Sequence, residues 1–365
     1  MRIVLSLLIG IHGVIHLFGF LKAFGLSEFK AISQPISVPL GILWLLAFLA
    51  FAEILVLMLI HCKFWWVMGF LAVLLSQVLI IIYWNDAKFG TVLNIIIFAS
   101  VFIAYSANRF EKMVNTETIQ MLSELELNDP DNNIVSEQTI LKLPLIVQKW
   151  LLNSGTVGKE VVKTVFVEQN LKMLMKPEQK EWYNAIATQY FTTSPPAFNW
   201  SVNLKMFPLM NVSGRDKFEN GKGEMTIKLL SFIPVVNARD NNKVNEATLQ
   251  RYLAEIVWFP SAAISPYITW EGLDNFSANA TLEYNGTKGS GIFYFDENGV
   301  FKKFTTMRYK DIKDTKPTKW TVTATKTEVR NGITIPVESE LDWELDSGNW
   351  TWLKLKITNI LYNFN

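Results

Sequence analysis

The sequence predicts a four-span α-helical membrane bundle joined to an α+β domain, an antiparallel meander curled into an open β-barrel with one inserted helix. Three observations predict this class. Charged residues are nearly absent from 1–107 and concentrated in 108–365. Four apolar runs in the first third are about long enough to cross a bilayer. From about residue 160 the apolar residues recur with a period of two, punctuated by Asn-Gly pairs. The expected organisation is a membrane bundle at 1–107, a helical connector at 108–158, and a β-rich domain at 159–365 holding a helix at 246–259.

The apolar runs cover 3–21, 38–60, 64–84 and 91–107. A spanning helix needs about 20 apolar residues, so three fit well and the fourth is short. Trp65, Trp66, Tyr83 and Trp84 bracket the third run as interfacial anchors. The first run lacks a small-residue cleavage site and holds two histidines, so it reads as a span rather than a cleaved signal peptide. An even number of spans puts both chain ends on one side. Arg2, Lys63, Arg109 and Lys112 would share that side, against Lys22, Lys30 and Lys88 on the other, and the basic excess favours a cytoplasmic C-terminal domain.

Ionisable side chains inside a bilayer are costly and mark functional positions by default. Here they are His12, His16 and Glu53. His12 and His16 lie four apart, hence on one helix face. At about 1.5 Å per residue, His12 and Glu53 sit at comparable depth on adjacent helices and could meet. A proton relay, a metal or haem site, or a polar contact that sets helix packing all fit that placement. Of these, the packing contact is favoured, because Gln77 is the only further polar side chain near that depth and it coordinates metals poorly.

Residues 108–154 read as helical, with a capping-box start at Thr116, a break at the NDPDNN run of 128–133, and a second stretch interrupted by Pro144 and ending near Gly155. The meander that follows has about ten strands. Its clearest member is 333–345, where Ile333, Ile335, Val337, Leu341, Trp343 and Leu345 alternate with polar residues. Hairpin turns are expected at Asn220-Gly221, Asn285-Gly286, Asn298-Gly299, Asn331-Gly332 and Ser347-Gly348. In the inserted helix, Asn245 can cap the start and Pro260 ends it. Leu249, Tyr252, Leu253, Ile256 and Val257 form one apolar face; Arg251, Glu255 and Trp258 fall together on the other. A sheet this long must curl, and one helix is too little to cover it from outside. The second face then either packs against the connector helices or a partner, or looks into the barrel, where Arg251 and Glu255 would anchor a ligand's polar end and Trp258 would form a wall. Loss of Glu255 would then strand a buried cation.

The 249–264 segment, LQRYLAEIVWFPSAAI, resembles the signature of an uncharacterised bacterial domain-of-unknown-function family of membrane-anchored proteins. Similar matches are LPLIVQKWLLNSG (143–155), ATQYFTTSPPAFNW (187–200), GRDKFENGKGEM (214–225), MRYKDI (307–312) and NGITIP (331–336). HGVIHLFGFLKAFGL and WNDAKFGTVLNIII resemble the multispan N-terminal region of some members. The resemblance implies a multi-pass protein of a bacterial inner membrane and carries no established chemistry. The barrel with its helix is also similar in architecture to lipoprotein carriers.

Net charge is +1 in 365 residues, which points away from nucleic acid. All three histidines and the single cysteine, Cys62, precede residue 63. The β-rich region therefore holds no Ser-His-Asp triad, no Cys-His pair and no ordinary zinc site. No cofactor or metal is expected. The reading that fits best is an integral membrane protein whose β-domain binds a lipophilic ligand, a lipid or quinone-like molecule, through Arg251, Glu255, Trp258, Tyr252, Trp200 and Asp216. The expected partners are membrane lipids or another lipophilic small molecule. Two other readings stay open. One is an enzyme using Glu255 and Asp216, with Arg251 as electrostatic stabiliser. The other is a redox or proton-handling protein using His12, His16 and Glu53.

Overall fold

The structure is a computed structural model that describes residues 2–29, 32–125, 133–207 and 210–364. It divides into two compact units, Met1–Glu111 with Leu230–Phe232, and Lys112–Leu229 with Ile233–Asn365.

The first unit holds α1 (Arg2–Ala23), α2 (Val38–Leu59), α3 (Trp65–Ile82), the short α4 (Trp84–Ala87) and the start of α5 (Gly90–Ser123). Four of these helices are long and apolar enough to cross a membrane. Only a minority of their large apolar side chains are buried, an arrangement that suits a bilayer, where helices satisfy their own backbone groups and apolar side chains can face outward. α5 runs without a break through Thr116, where the sequence predicts a helix start. No Gly or Pro interrupts 91–123, so the capping preference of Thr116 loses to continuation of the helix. Of the NDPDNN break, residues 128–132 lie outside the described residues.

In the second unit, α6 (Glu137–Ile140) starts on a capping box between Ser136 and Thr139. α7 (Leu145–Asn153) begins after Pro144 and ends at Gly155, which takes φ +74°. Trp150 of α7 packs on Trp270, Phe293 and Phe295, so this helix belongs to the core of the β-rich unit.

Thirteen strands form one sheet. They are β1 (Thr164–Met173), β2 (Tyr183–Thr193), β3 (Pro196–Phe207), β4 (Met210–Glu219), β5 (Lys222–Leu229), β6 (Ile233–Ala238), β7 (Ile268–Gly272), β8 (Ser277–Tyr284), β9 (Thr287–Phe295), β10 (Phe301–Arg308), β11 (Thr318–Arg330), β12 (Ile333–Leu345) and β13 (Gly348–Tyr362). The order is β6-β5-β4-β3-β2-β1-β13-β12-β11-β10-β9-β8-β7. Two antiparallel meanders thus meet where β1 pairs with β13, and β6 and β7 are left as free edges. The sheet is the predicted curled, open half-barrel, with β6 and β7 beyond the strands read from sequence. Both are short, and β6 is mostly exposed, so neither shows the alternation that marks the others. Asn220-Gly221, Asn285-Gly286 and Asn331-Gly332 all take positive φ at both residues, the geometry of two-residue hairpins.

The helix between the two edges is α8 (Asn242–Glu255), followed by 3-10 turns at Ile256–Trp258 and Pro260–Ile264. It starts earlier and ends sooner than 246–259. Asn241 caps it by accepting from the Lys243 amide, while Asn245 instead accepts from the Gly223 amide on β5. α8 touches β4 and β5 of one meander and β8, β9 and β10 of the other, so it lies across the concave side of the sheet.

Candidate functional site

The apolar face of α8 goes into the core. Leu249, Tyr252, Leu253, Ile256 and Val257 are all buried. Tyr252, expected in the ligand-binding set, belongs wholly to this face: its hydroxyl donates to the Thr192 carbonyl at 2.9 Å and its ring packs against Phe191 and Phe259. It does not line the cavity described next. The physical reason is helical spacing, which keeps Tyr252 beside Leu249 and Ile256 rather than beside Arg251.

The opposite face of α8 borders a cavity of about 730 Å³ between the helix and the concave sheet. Arg251, Glu255 and Trp258 line it from the helix side; Leu171, Val202, Leu341 and Leu355 line it from the central strands. Trp320, Trp343, Trp350 and Trp352 add an aromatic wall from β11, β12 and β13. The walls are apolar because inward positions alternate along each strand.

Its polar end is built around Arg251. Nη1 donates to Asp216 Oδ2 at 2.6 Å, and Nε donates to Glu255 Oε1 at 2.9 Å. The guanidinium also stacks over Trp200 at 4.6 Å and Phe198 at 5.0 Å. Gln189 donates to Glu255 Oε2 at 2.8 Å, Gln169 donates to Gln189 at 3.3 Å, and the Trp200 indole donates to Gln169 at 3.0 Å. Sheet register explains the convergence, since Trp200 sits opposite Gln189 on β2 and opposite Asp216 on β4. Burial works to lower the Arg251 guanidinium, but Glu255 and Asp216 outweigh it and hold it above its ordinary value. Burial raises the Glu255 carboxyl, against the opposing pull of Arg251 and Gln189. The cluster therefore brings together Arg251, Glu255, Asp216 and Trp200, with Trp258 in the adjoining wall.

Two members of the polar surroundings were not read from sequence. Gln189 carries no motif. Arg308 carried a usable signal, because it stands four residues from the apolar Phe304 on β10 and so shares its face by the period of two. Its Nε donates to the Ala247 carbonyl at 2.9 Å and its guanidinium lies over Trp320 at 4.8 Å and Trp343 at 5.7 Å.

In the first unit, His12 Nε2 lies 2.9 Å from Asn94 Oδ1 and 3.1 Å from Ser76 Oγ, and His16 Nε2 lies 2.8 Å from the same hydroxyl. Asn94 also donates to Gln77 at 3.0 Å. These contacts tie α1 to α3 and α5. Glu53 takes no part: it is exposed on α2 and forms no hydrogen bond or ion pair among the described residues. The depth estimate matched His12 with Glu53, but helix rotation turns Glu53 away from the bundle. No group of three metal-ligating side chains occurs among the described residues.

Compared with known proteins, the fold is similar to a DUF1329 family protein from Desulfovibrio piger, at 9% identity and a TM-score of 0.36, covering 64% of this chain and 95% of that one. It is also similar to a LolA superfamily protein from Nitrosomonas europaea, at 10% identity and a TM-score of 0.32, covering 60% of this chain and 93% of that one. No curated relative matches the sequence. The profile of a family of unknown function, DUF6920, matches residues 141–362, more than half of the sequence, and the chain therefore belongs to the DUF6920 family.

Proposed function

We propose that this protein is a multi-pass membrane protein whose β-rich unit binds a lipophilic ligand, a lipid or quinone-like molecule, between α8 and the concave sheet. The observation that carries this reading is the cavity itself. Its volume of about 730 Å³ falls within the roughly 300–1,000 Å³ of small-molecule sites, and its apolar wall ends in one ionic cluster. An apolar wall favours a hydrocarbon or ring system, and the cluster orients whatever polar end accompanies it. Arg251 holds Asp216 and Glu255 in ion pairs, which favours an anchoring role over acid–base work by either carboxylate. The resemblance to membrane-anchored bacterial proteins supports a bacterial inner membrane for the bundle, and the distribution of basic residues supports the cytoplasmic side for the β-rich unit. Native mass spectrometry of the purified full-length protein tests the reading. A co-purified lipophilic molecule, lost when Val202 and Leu341 are changed to Trp to fill the cavity, is the expected result. A ligand-free protein that also fails to take up added lipids or quinones would refute it.

A second reading, redox or proton handling in the bundle, draws support from the buried His12–His16–Ser76–Asn94 cluster, in which both histidine Nδ1 atoms lack a partner among the described residues. An optical spectrum with metal analysis separates a redox centre from a packing contact.

A further inference from the structure

We propose that the cavity takes a single-tailed amphiphile whose anionic head, a carboxylate or phosphate, is held by Arg308. This rests on the ligand-binding reading above and adds the charge of the ligand and the residue that reads it. The argument begins from what Arg308 lacks. Arg251 has two carboxylate partners in its ion pairs. Arg308 lines the same cavity, yet among the described residues no carboxylate lies within ion-pair distance of it, and its two terminal nitrogens make no hydrogen bond. Its one protein hydrogen bond uses Nε, which fixes the plane of the guanidinium and leaves the terminal pair open. Those nitrogens are also absent from the buried atoms without a partner, so they remain accessible. Two parallel N–H donors match the two oxygens of a carboxylate or phosphate, the fork geometry that arginine provides and lysine does not.

The electrostatics agree. Burial pulls the Arg308 guanidinium down to about 10, with Asp216 and Glu255 opposing the fall and Arg251 adding to it. At neutral pH it is still a cation, held in the cavity without a contacting anion. Beyond Arg251 with its partners Asp216 and Glu255, the cavity lining carries Lys176, Arg215, Lys243, Lys310 and Lys313 against one further carboxylate, Asp311, so the balance of charge also favours a negative head. Trp320 and Trp343, which the guanidinium overlies, continue into the apolar wall, so a head at Arg308 leaves its tail against indoles and leucines. A volume of about 730 Å³ suits one chain better than several.

The test uses the full-length protein in nanodiscs of zwitterionic lipid, with two photoreactive probes. One is palmitate carrying a mid-chain diazirine, and the other is the matching hexadecanol. Labelling of peptides from β11 and β13 is read against labelling of α2 and α3, which report the probe dissolved in the bilayer. The palmitate probe should label the strands of the wild type. Arg308→Gln should cut that labelling by about tenfold or more, the usual scale for losing a charged hydrogen-bonded contact. Arg308→Lys should restore only part of it. The hexadecanol probe should label the wild type and Arg308→Gln equally, which also shows that the variant is folded. Excess hexadecyl phosphate should suppress palmitate labelling while inorganic phosphate does not. Equal palmitate labelling of wild type and Arg308→Gln would overturn the role of Arg308 and leave the ligand-binding reading standing. Suppression by inorganic phosphate as strong as by hexadecyl phosphate would overturn the single-tailed ligand in favour of a free anion. Absence of strand labelling by either probe would overturn the ligand-binding reading, and this inference with it.

Discussion

At the scale of single residues, the decisive fact about Arg251 is that it has two anionic partners on different elements. Glu255 comes from the next turn of α8, and Asp216 comes from β4. The sequence reading paired Arg251 with Glu255 and expected a stranded cation when Glu255 is lost. With Asp216 at 2.6 Å the cation stays paired. Glu255→Ala should therefore cost about 1–3 kcal/mol, the scale of one charged hydrogen bond. Arg251→Met removes the common partner of two buried carboxylates and should cost about 3–5 kcal/mol. Changing Arg251, Asp216 and Glu255 together to apolar residues of similar size should cost less than Arg251→Met alone, because no charge is left behind. Urea unfolding of residues 112–365 measures all three. Equal costs for Glu255→Ala and Arg251→Met would mean that Asp216 does not share the cation.

At the scale of elements, α8 can lie across the sheet because two strands give it room. A Cβ at Gly223 on β5 would fall 2.5 Å from Thr248 Oγ1 and 2.6 Å from the Val244 carbonyl oxygen. A Cβ at Gly289 on β9 would fall 2.8 Å from both Leu249 and Gln250 side-chain carbons. The helix thus seats on one glycine from each meander, and its backbone at Val244 cannot yield as a flexible side chain would. Gly223→Ala should lower stability by about 1–3 kcal/mol through overpacking. Thermal unfolding checks the cost, and tryptophan emission reports whether Trp258 moves with the helix. An unchanged melting temperature and spectrum would show that α8 has slack against β5.

At the scale of the whole molecule, the two compact units suggest a cut. The buried contacts of Asn199 with Val114 and Thr118, and of Arg215 with Glu117, lie within the second unit and involve the end of α5. We expect residues 112–365 to fold alone, with a cooperative urea transition. A fragment that begins beyond Thr118 should be less stable, since Arg215 then loses Glu117. An insoluble or non-cooperative 112–365 fragment would show that the membrane helices are required. Orientation is tested through Cys62, which follows α2 and is the only thiol. With both chain ends cytoplasmic, an impermeant maleimide should leave it unlabelled in intact cells and label it after lysis. Labelling of intact cells, absent in Cys62→Ser, would place the β-rich unit on the opposite side.

Local chemistry alone determined much of this protein. Four apolar runs, the period-two strands and the Asn-Gly turns were legible because hydrophobic length, pleat and turn dihedrals depend only on neighbouring residues. The helix that carries Arg251 and Glu255 was legible for the same reason, through its three- and four-residue spacing. Its limits were not, because Asn241 and Asn245 are equally good caps until the Gly223 amide claims one of them. Only the tertiary structure decided that β1 and β13, nearly two hundred residues apart, join the two meanders, and that Asp216 and Gln189 meet Arg251. It also decided that Glu53 turns away from His12 and His16 while Ser76 and Asn94 join them. These pairings depend on strand register and helix rotation, which are set by the packing of distant segments and leave no mark on the residues beside them in the chain.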